Sequence, residues 1–239
     1  MRIAFLTGAG MSAESGVPTF RDALTGLWSR FDATALATEA AFRSDPALVW
    51  GWYRWRAAMV RRAQPNPAHV GIAEFARRGH LVDVVTQNVD DLHERGGASG
   101  VTHLHGRLFA SRCLDCGTTR DPDPMLDGLD AIVEGVRETP PACDACGGPF
   151  RPDVVWFGEA LPEDDWARAV AALERCELLV VVGTSGLVQP AASLPQLARE
   201  RGARVIEINP GDSAVSQLAH ERLRMPASSG IRMLLERHS

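Results

Sequence analysis

One stretch of the chain, residues 84–107, joins side chains that could bind an amide to a side chain that could move a proton. Gln87, Asn88 and Asp90 follow directly on an apolar run, and His105 comes some fifteen residues later. Amide and carboxylate groups at the end of a buried strand can form the floor of a pocket. A nearby histidine offers a general base near neutral pH. The stretch predicts a site for an amide-bearing ligand beside a proton-transfer group.

His105 is one of seven histidines, and a lone His-Gly pair is typical of an ordinary turn. Its position after the Gln-Asn-x-Asp cluster favours the catalytic interpretation. The other histidines that we considered have no such support, and we expect them to be structural: His69, His80, His93 and His103.

A glycine-rich loop follows the first apolar run. Gly8, Ala9 and Gly10 come directly after residues 3–6 and begin a G-x-G-x-x-A pattern. Such glycines let the backbone approach a pyrophosphate at the start of a helix, although the motif alone is a weak signal. The loop predicts a dinucleotide site.

The acidic residue that usually binds a ribose about 20 positions after this loop is missing, which disfavours an ordinary nicotinamide oxidoreductase. A later apolar run, residues 204–208, carries Glu207 and is followed by Asn209. This pair could hold a ribose instead. A solvated strand end is the alternative interpretation.

Four cysteines form two Cys-x-x-Cys pairs, Cys113 with Cys116 and Cys143 with Cys146. Four thiolates suit tetrahedral Zn²⁺ and leave no position for water, so we expect one structural zinc per chain. Free cysteines or a redox pair are the alternative. A nucleic-acid-binding ribbon is disfavoured, because the intervening segment is acidic and lacks interleaved aromatic residues.

The elements that must position these groups alternate between strands and helices. Apolar runs at 3–6, 81–85, 178–182 and 204–208 are separated by helical patterns. This alternation predicts an α/β fold, a Rossmann-like parallel sheet with helices on both faces, whose ligands gather at the carboxyl ends of the strands. We divide the chain into a Rossmann-like domain (1–27, 65–111 and 151–239), a helical insertion (28–64) and a zinc-binding module (112–150).

Composition excludes several classes of protein. The 239 residues carry a net charge of −5, which disfavours non-specific binding to nucleic acid or an anionic membrane. No apolar run approaches the roughly 20 residues of a membrane span. The chain enters its first strand without a cleavable leader, so we expect a cytoplasmic protein, and we expect a monomer.

The motifs, in this order, closely resemble those of the sirtuin family of NAD-dependent protein-lysine deacylases. The matching stretches cover nearly the whole chain: 8–12, 16–21, 86–90, 103–106, both cysteine pairs, 151–159, 183–185 and 208–209. The resemblance implies that NAD is the co-substrate and that protein lysine is released together with nicotinamide and O-acyl-ADP-ribose. His105 would act as general base on a ribose hydroxyl.

The resemblance also implies where each ligand binds. Asn88 and Asp90 would bind the nicotinamide carboxamide, and Gln87 would lie by the adjoining ribose. The other residues assigned to NAD are Gly8, Ala9, Gly10, Phe20, Arg21, Gly183, Thr184, Ser185, Glu207 and Asn209. The acylated-lysine peptide would add as a strand along Val154, Val155, Trp156, Phe157, Gly158 and Glu159.

Acyl choice is predicted to depend on the helical insertion. Tyr53 and Arg56 stand at positions i and i+3, which share one face of a helix. A guanidinium matches a carboxylate and a phenol adds a donor, and the pair resembles the Tyr-x-x-Arg signature of sirtuins that remove succinyl, malonyl or glutaryl groups. An amphipathic helix with inward aromatics and solvated arginines is the alternative.

Three other functions stay open at this point. A sirtuin-like protein mono-ADP-ribosyltransferase would share the NAD site, but His105 favours deacylation. A nicotinamide oxidoreductase would fit the glycine loop, but it would need the acidic ribose ligand that this chain lacks. A non-catalytic zinc module leaves residues 84–107 unexplained.

Overall fold

The computed structural model describes residues 1–18, 32–121 and 123–238. Six strands form one sheet in the order β3-β2-β1-β6-β7-β8, and every neighbouring pair is parallel. Two further strands, β4 and β5, form an antiparallel pair. The strands are β1 Arg2–Thr7, β2 Leu81–Thr86, β3 Thr102–His103, β4 Gly106–Cys113, β5 Phe150–Val154, β6 Leu178–Val182, β7 Arg204–Ile208 and β8 Glu221–Leu223.

Helices cover both faces of the parallel sheet. The helices are α1 Ala33–Leu36, α2 Glu39–Ser44, α3 Pro46–Arg62, α4 Pro67–Arg77, α5 Leu92–Arg95, α6 Glu163–Arg175, α7 Leu194–Glu200 and α8 Ala227–Arg237. One buried cluster joins α4 and α8 to one face, and a second joins α6 and α7 to the other. The predicted α/β architecture is therefore confirmed.

Strand order reverses between β1 and β6, because β2 and β3 lie on one side of this pair and β7 and β8 on the other. In open parallel sheets, ligands bind where the order reverses, beyond the carboxyl ends of the strands. The loops that follow β1 and β6 begin at Gly8 and Gly183. The sheet thus places both glycine-containing loops at its expected ligand crevice.

The helical insertion is built around α3. Asp45 caps this helix by accepting a hydrogen bond from the backbone N–H of Leu48, and Pro46 occupies its first turn, where no amide hydrogen is required. Its aromatic residues are largely turned inward, with Trp50, Trp52 and Tyr53 all buried. The helix therefore contributes to a core rather than lying on the surface.

The segment between the cysteine pairs packs against this same helix. Met125 and Leu129 share one buried cluster with Trp50 and Val49 of α3. This cluster also contains Phe150, the first residue of β5, and Trp156, which lies two residues beyond the end of that strand. The cysteine-containing segment, too poor in apolar residues for a core of its own, completes one with the helical insertion.

Among the helices in the described ranges, none has the length and apolar character that crossing a bilayer would require.

Candidate active site

The two glycine loops at the crevice are in direct backbone contact. Gly8 N–H donates to the Val182 carbonyl over 3.0 Å, and Gly10 N–H donates to the Gly183 carbonyl over 2.9 Å. A Cβ added to Gly10 would stand 2.8 Å from the Gly183 Cα. The sequence predicted that these glycines admit a pyrophosphate; what the structure shows is that they let the two loops approach each other.

A buried hydrogen-bond chain connects the first loop to the amide cluster after β2. The Asn88 side-chain amide donates to Ser12 Oγ over 3.1 Å, and Ser12 Oγ donates to Asp90 Oδ2 over 2.9 Å. The other Asp90 oxygen accepts from the Leu92 backbone. Burial raises the pKa of the Asp90 carboxyl, although the Ser12 hydroxyl and the Leu92 N–H oppose this. Amide donors and carboxylate acceptors are thus held side by side, as a carboxamide ligand requires.

Buried side chains form hydrogen bonds with the backbone of Asn88 from the protein interior. Its N–H donates to Thr86 Oγ1, which also accepts from Thr7 Oγ1 over 2.8 Å. His93 Nε2 lies 2.9 Å from the same Thr7 hydroxyl, and His103 Nδ1 lies 3.0 Å from the Asn88 carbonyl. Burial lowers the pKa of His93 well below its ordinary value. Both histidines support the loop from inside, which is the structural role expected of them.

His105 has one ring nitrogen held and the other left for chemistry. Its Nδ1 lies 2.9 Å from the Gln87 carbonyl oxygen, which can only accept, so Nδ1 carries the hydrogen and Nε2 keeps its lone pair. Burial lowers the pKa of His105, and the bond to Gln87 opposes this shift. A neutral imidazole with a bare Nε2 is the form that a general base needs.

The turn that carries His105 is fixed by the antiparallel strand pair. Gly106 has a φ of 76°, and a Cβ there would collide with the Asp153 backbone oxygen. The His105 carbonyl accepts from the Val155 N–H over 2.9 Å. His105 is therefore joined by its backbone to the predicted peptide segment and by its ring to the amide cluster.

The loops after β6 and β7 close the other side of the crevice. The Gln87 side-chain amide donates to Thr184 Oγ1, and the Asn209 side-chain amide donates to the Thr184 carbonyl, both over 2.9 Å. Ser185 is tied to the next loop, because its carbonyl accepts from Ala214 N–H. The predicted NAD residues of three strands are thus brought together.

Glu207 differs from its neighbours. It is 2% exposed, and its two carboxylate oxygens accept hydrogen bonds from Ser213 Oγ and Ser216 Oγ. Arg222 Nε lies 3.6 Å from one of them. Any contact between Glu207 and a ribose would have to share oxygens already engaged with the loop, so Asn209 is the freer member of the predicted pair.

Tyr53 and Arg56 lie on α3 in the predicted i, i+3 relationship. The Arg56 guanidinium lies over the Trp52 ring, 5.0 Å from its centroid. Burial raises the pKa of Tyr53 to about 12, so this phenol stays neutral and keeps its hydrogen for donation. Burial lowers the pKa of Arg56, while Tyr53 and then Asp90 oppose this shift. Arg56, one of the two predicted acyl-selecting residues, is therefore within electrostatic reach of Asp90 in the amide cluster.

The predicted peptide segment has alternating surroundings. Phe157 is 53% exposed, whereas Val154 and Trp156 are buried. The N–H groups of Val155 and Phe157 already donate to the carbonyls of His105 and Ala37. A peptide adding as a strand would have to use other backbone groups of the segment, which ends with Gly158 and Glu159.

The four paired cysteines converge. Their Sγ atoms all lie within 4.8 Å of one another, with Cys113 and Cys143 buried and Cys116 and Cys146 exposed. Neighbouring Sγ atoms are 3.4 to 3.7 Å apart, close to the about 3.8 Å that tetrahedral Zn–S bonds of about 2.3 Å imply. The donor set fits a structural zinc. Cys176 lies apart, buried after α6, as expected of a core residue.

Two predicted NAD residues, Phe20 and Arg21, lie outside the described residues. Ser12 and Arg54, by contrast, were not predicted. Ser12 follows the glycine loop and its polarity was the available signal, whereas the partners of Arg54 become visible only in the folded chain.

Comparison with known proteins identifies this arrangement. The profile described as the Sir2 family matches residues 8–190, a span that contains both glycine loops, the amide cluster, His105 and all four paired cysteines. The chain belongs to the Sir2 family. The resemblance to sirtuins is confirmed, and with it the prediction of an enzyme, since homologues in this family are named as deacylases.

Individual members of the Sir2 family resemble the chain over nearly its full length. NAD-dependent protein deacylase 1 of Pseudomonas aeruginosa is 54% identical over 236 residues, covering 99% of this chain and 94% of that protein. A crystal structure of a Sir2 homologue in complex with NAD is 45% identical, with a TM-score of 0.88, and the match covers 98% of this chain and 88% of that one. Sir2Tm bound to a propionylated peptide is 30% identical, with a TM-score of 0.82 and coverages of 99% and 92%.

Proposed function

We propose that this Sir2 protein is an NAD-dependent protein-lysine deacylase that removes acidic acyl groups, succinyl and malonyl, as well as or in preference to acetyl. The products would be nicotinamide, O-acyl-ADP-ribose and the free lysine. NAD use is supported by the name of the 54% identical relative and by the NAD complex of a 45% identical homologue. Peptide binding is supported by the Sir2Tm complex.

The observation that carries the acidic-acyl preference is the position of Tyr53 and Arg56. Both lie on one face of α3, and Tyr53 directly contacts Trp156 of the predicted peptide segment. A neutral phenol and a guanidinium together give a donor and a positive charge, which match the carboxylate at the end of a succinyl or malonyl chain. An acetyl group has no carboxylate to bind there.

The remaining residues would take the roles that the resemblance to sirtuins implies. Asn88 and Asp90 would hold the nicotinamide carboxamide, and Gln87 the neighbouring ribose. His105 would take a proton from a ribose hydroxyl through its bare Nε2. The rest of the NAD site would comprise Gly8, Ala9, Gly10, Phe20, Arg21, Gly183, Thr184, Ser185, Glu207 and Asn209. One structural Zn²⁺ would bind the four paired cysteines, away from the chemistry.

The test is one assay with NAD and matched acetyl-, succinyl- and malonyl-lysine peptides, following nicotinamide release and the acylated product. The variant Arg56→Met should lose desuccinylation and keep or gain deacetylation. Arg61→Met is the control, because Arg61 is an exposed arginine on the same helix. Equal loss of both activities in Arg56→Met contradicts the acyl preference, and ADP-ribose transferred to target protein would show a mono-ADP-ribosyltransferase instead. A cytoplasmic, monomeric protein stays a prediction.

A further inference from the structure

A hydrogen bond from the predicted peptide segment determines how the Tyr53 phenol can be used. Trp156 Nε1 lies 3.1 Å from Tyr53 Oη, and both side chains are buried. An indole N–H can only donate, so the phenol oxygen accepts. The hydroxyl hydrogen of Tyr53 must then point away from Trp156 and is left to bind another acceptor.

The Trp156 ring is itself held on more than one side. The Arg151 guanidinium lies over its face, 3.4 Å from the centroid, and Phe42 packs against it with ring centroids 5.3 Å apart. Its backbone N–H donates to Glu159 over 2.8 Å. A ring stacked and bonded in this way cannot turn its N–H away from Tyr53 without breaking several contacts.

Arg151 is held in turn by Glu159. The two side chains form a forked ion pair, and Arg151 also donates to the backbone oxygens of Pro152 and Val154. Arg151 is 3% exposed, so its charge is compensated almost entirely by these partners. The contacts run without a gap from Glu159 through Arg151 and Trp156 to Tyr53.

We infer that Trp156, held by the Arg151–Glu159 pair, is a positioning residue for acyl selection: it orients the Tyr53 hydroxyl so that it donates to the carboxylate of an acidic acyl chain. The inference rests on the proposed acyl preference and deepens it. A phenol accepting from Trp156 presents its hydrogen in a restricted direction before the substrate arrives. Pre-orienting a donor in this way increases affinity by lowering the cost of ordering it on binding.

The chain offers a matched pair of substitutions to test this. Trp156→Phe removes the indole N–H that reaches Tyr53. Trp50→Phe makes the same change in the same buried cluster, at an indole nitrogen that has no hydrogen-bond partner among the described residues. We expect the ratio of desuccinylation to deacetylation, each measured as kcat/KM, to fall on the order of tenfold in Trp156→Phe and to stay unchanged in Trp50→Phe.

Two further variants separate a positioning role from a packing role. In a Tyr53→Phe background, which lacks the hydroxyl, Trp156→Phe should lower the ratio no further. Arg151→Lys keeps the Trp156 and Tyr53 side chains but removes the planar stacking on Trp156 and the forked pair with Glu159. It should therefore also lower the ratio of desuccinylation to deacetylation. This variant also provides a test if Trp156→Phe does not fold.

A spectroscopic readout is independent of the activity. Tyr53 is the only tyrosine in the chain, so protein labelled with ¹³C at the tyrosine Cζ gives a single resonance. This resonance should move in Trp156→Phe and stay in Trp50→Phe. A wild-type chain that does not remove acidic acyl groups refutes the proposed function. A preference that survives Trp156→Phe, or falls further in the Tyr53→Phe background, refutes the role of Trp156 alone.

Discussion

Arg54 Nη1 lies 2.8 Å from the backbone oxygen of Met125, so a buried guanidinium joins α3 to the segment between the two cysteine pairs. Arg54 also donates to the backbone oxygens of Pro124 and Asp127 and pairs with Glu138. The same helix carries Tyr53 and Arg56. The two residues proposed to select the acyl group are therefore anchored, through their helix, to the cysteine-containing segment.

Replacing Arg54 should destabilise the whole chain. Arg54→Met leaves buried carbonyl oxygens without donors and should lower the free energy of unfolding by about 3 kcal/mol, measured by chemical denaturation. Arg43→Met is the control: Arg43 forms exposed ion pairs with Glu39 and, over 3.9 Å, with Asp115, and such pairs are worth at most about 1 kcal/mol. Equal effects of the two substitutions would show that the buried contacts of Arg54 contribute nothing.

The contact between the glycine loops predicts that replacement by alanine has very different effects on stability and NAD binding at two glycines. A methyl group at Gly10 has no room against Gly183, so Gly10→Ala should cost about 1 to 3 kcal/mol of stability and weaken NAD binding, measured by denaturation and calorimetry. In Gly211→Ala the methyl group meets nothing within 4 Å, and both quantities should stay near the wild-type values. A stable Gly10→Ala with normal NAD affinity would contradict this packing.

The environment of His105 predicts the acid side of the pH profile. The base must be neutral, and burial lowers its pKa below the ordinary 6.5. Activity should therefore persist through pH 6.5 and fall only at lower pH, as Nε2 becomes protonated; kcat/KM across pH 5 to 8 measures this. A midpoint at or above pH 6.5 would contradict this prediction.

His105→Tyr should abolish turnover and keep the zinc content of the wild type.

The cysteine cluster predicts one zinc per chain. Cys143→Ser removes a buried ligand and should lower both the bound zinc, measured by elemental analysis, and the thermal midpoint, because zinc binding contributes to folding free energy. Cys176→Ser also replaces a buried thiol, but at a site apart from the cluster, so it should keep its zinc. Loss of zinc from both variants, or from neither, would argue against a four-cysteine site.

Local patterns predicted the elements whose signal lies within a few residues. The apolar runs of β1, β2, β6 and β7, the cysteine spacing and the shared helix face of Tyr53 and Arg56 all belong to this group. The other four strands were not predicted. Two of them, β3 and β8, are two or three residues long and carry no periodicity.

Contacts between distant parts of the chain were beyond such patterns. Ser12 meets Asp90 across 78 positions, and Arg54 meets Met125 across 71. Each partner is an ordinary polar or backbone group until the fold brings it close. The hydrogen bonds from Ser213 and Ser216 to Glu207 could not be predicted for another reason. They depend on how the loop after β7 turns back toward the strand.

The buried clusters also bear on how such a chain can diversify. Helix α3, the cysteine-containing segment and Trp156 share one hydrophobic cluster, while the two faces of the parallel sheet are packed by two others. We expect substitutions around the proposed acyl-selecting residues to repack the first cluster and to leave the two clusters beneath the dinucleotide crevice intact. On this division, acyl choice could change with little effect on NAD binding, except at His105, which contacts the predicted peptide segment through its backbone and the amide cluster through its ring.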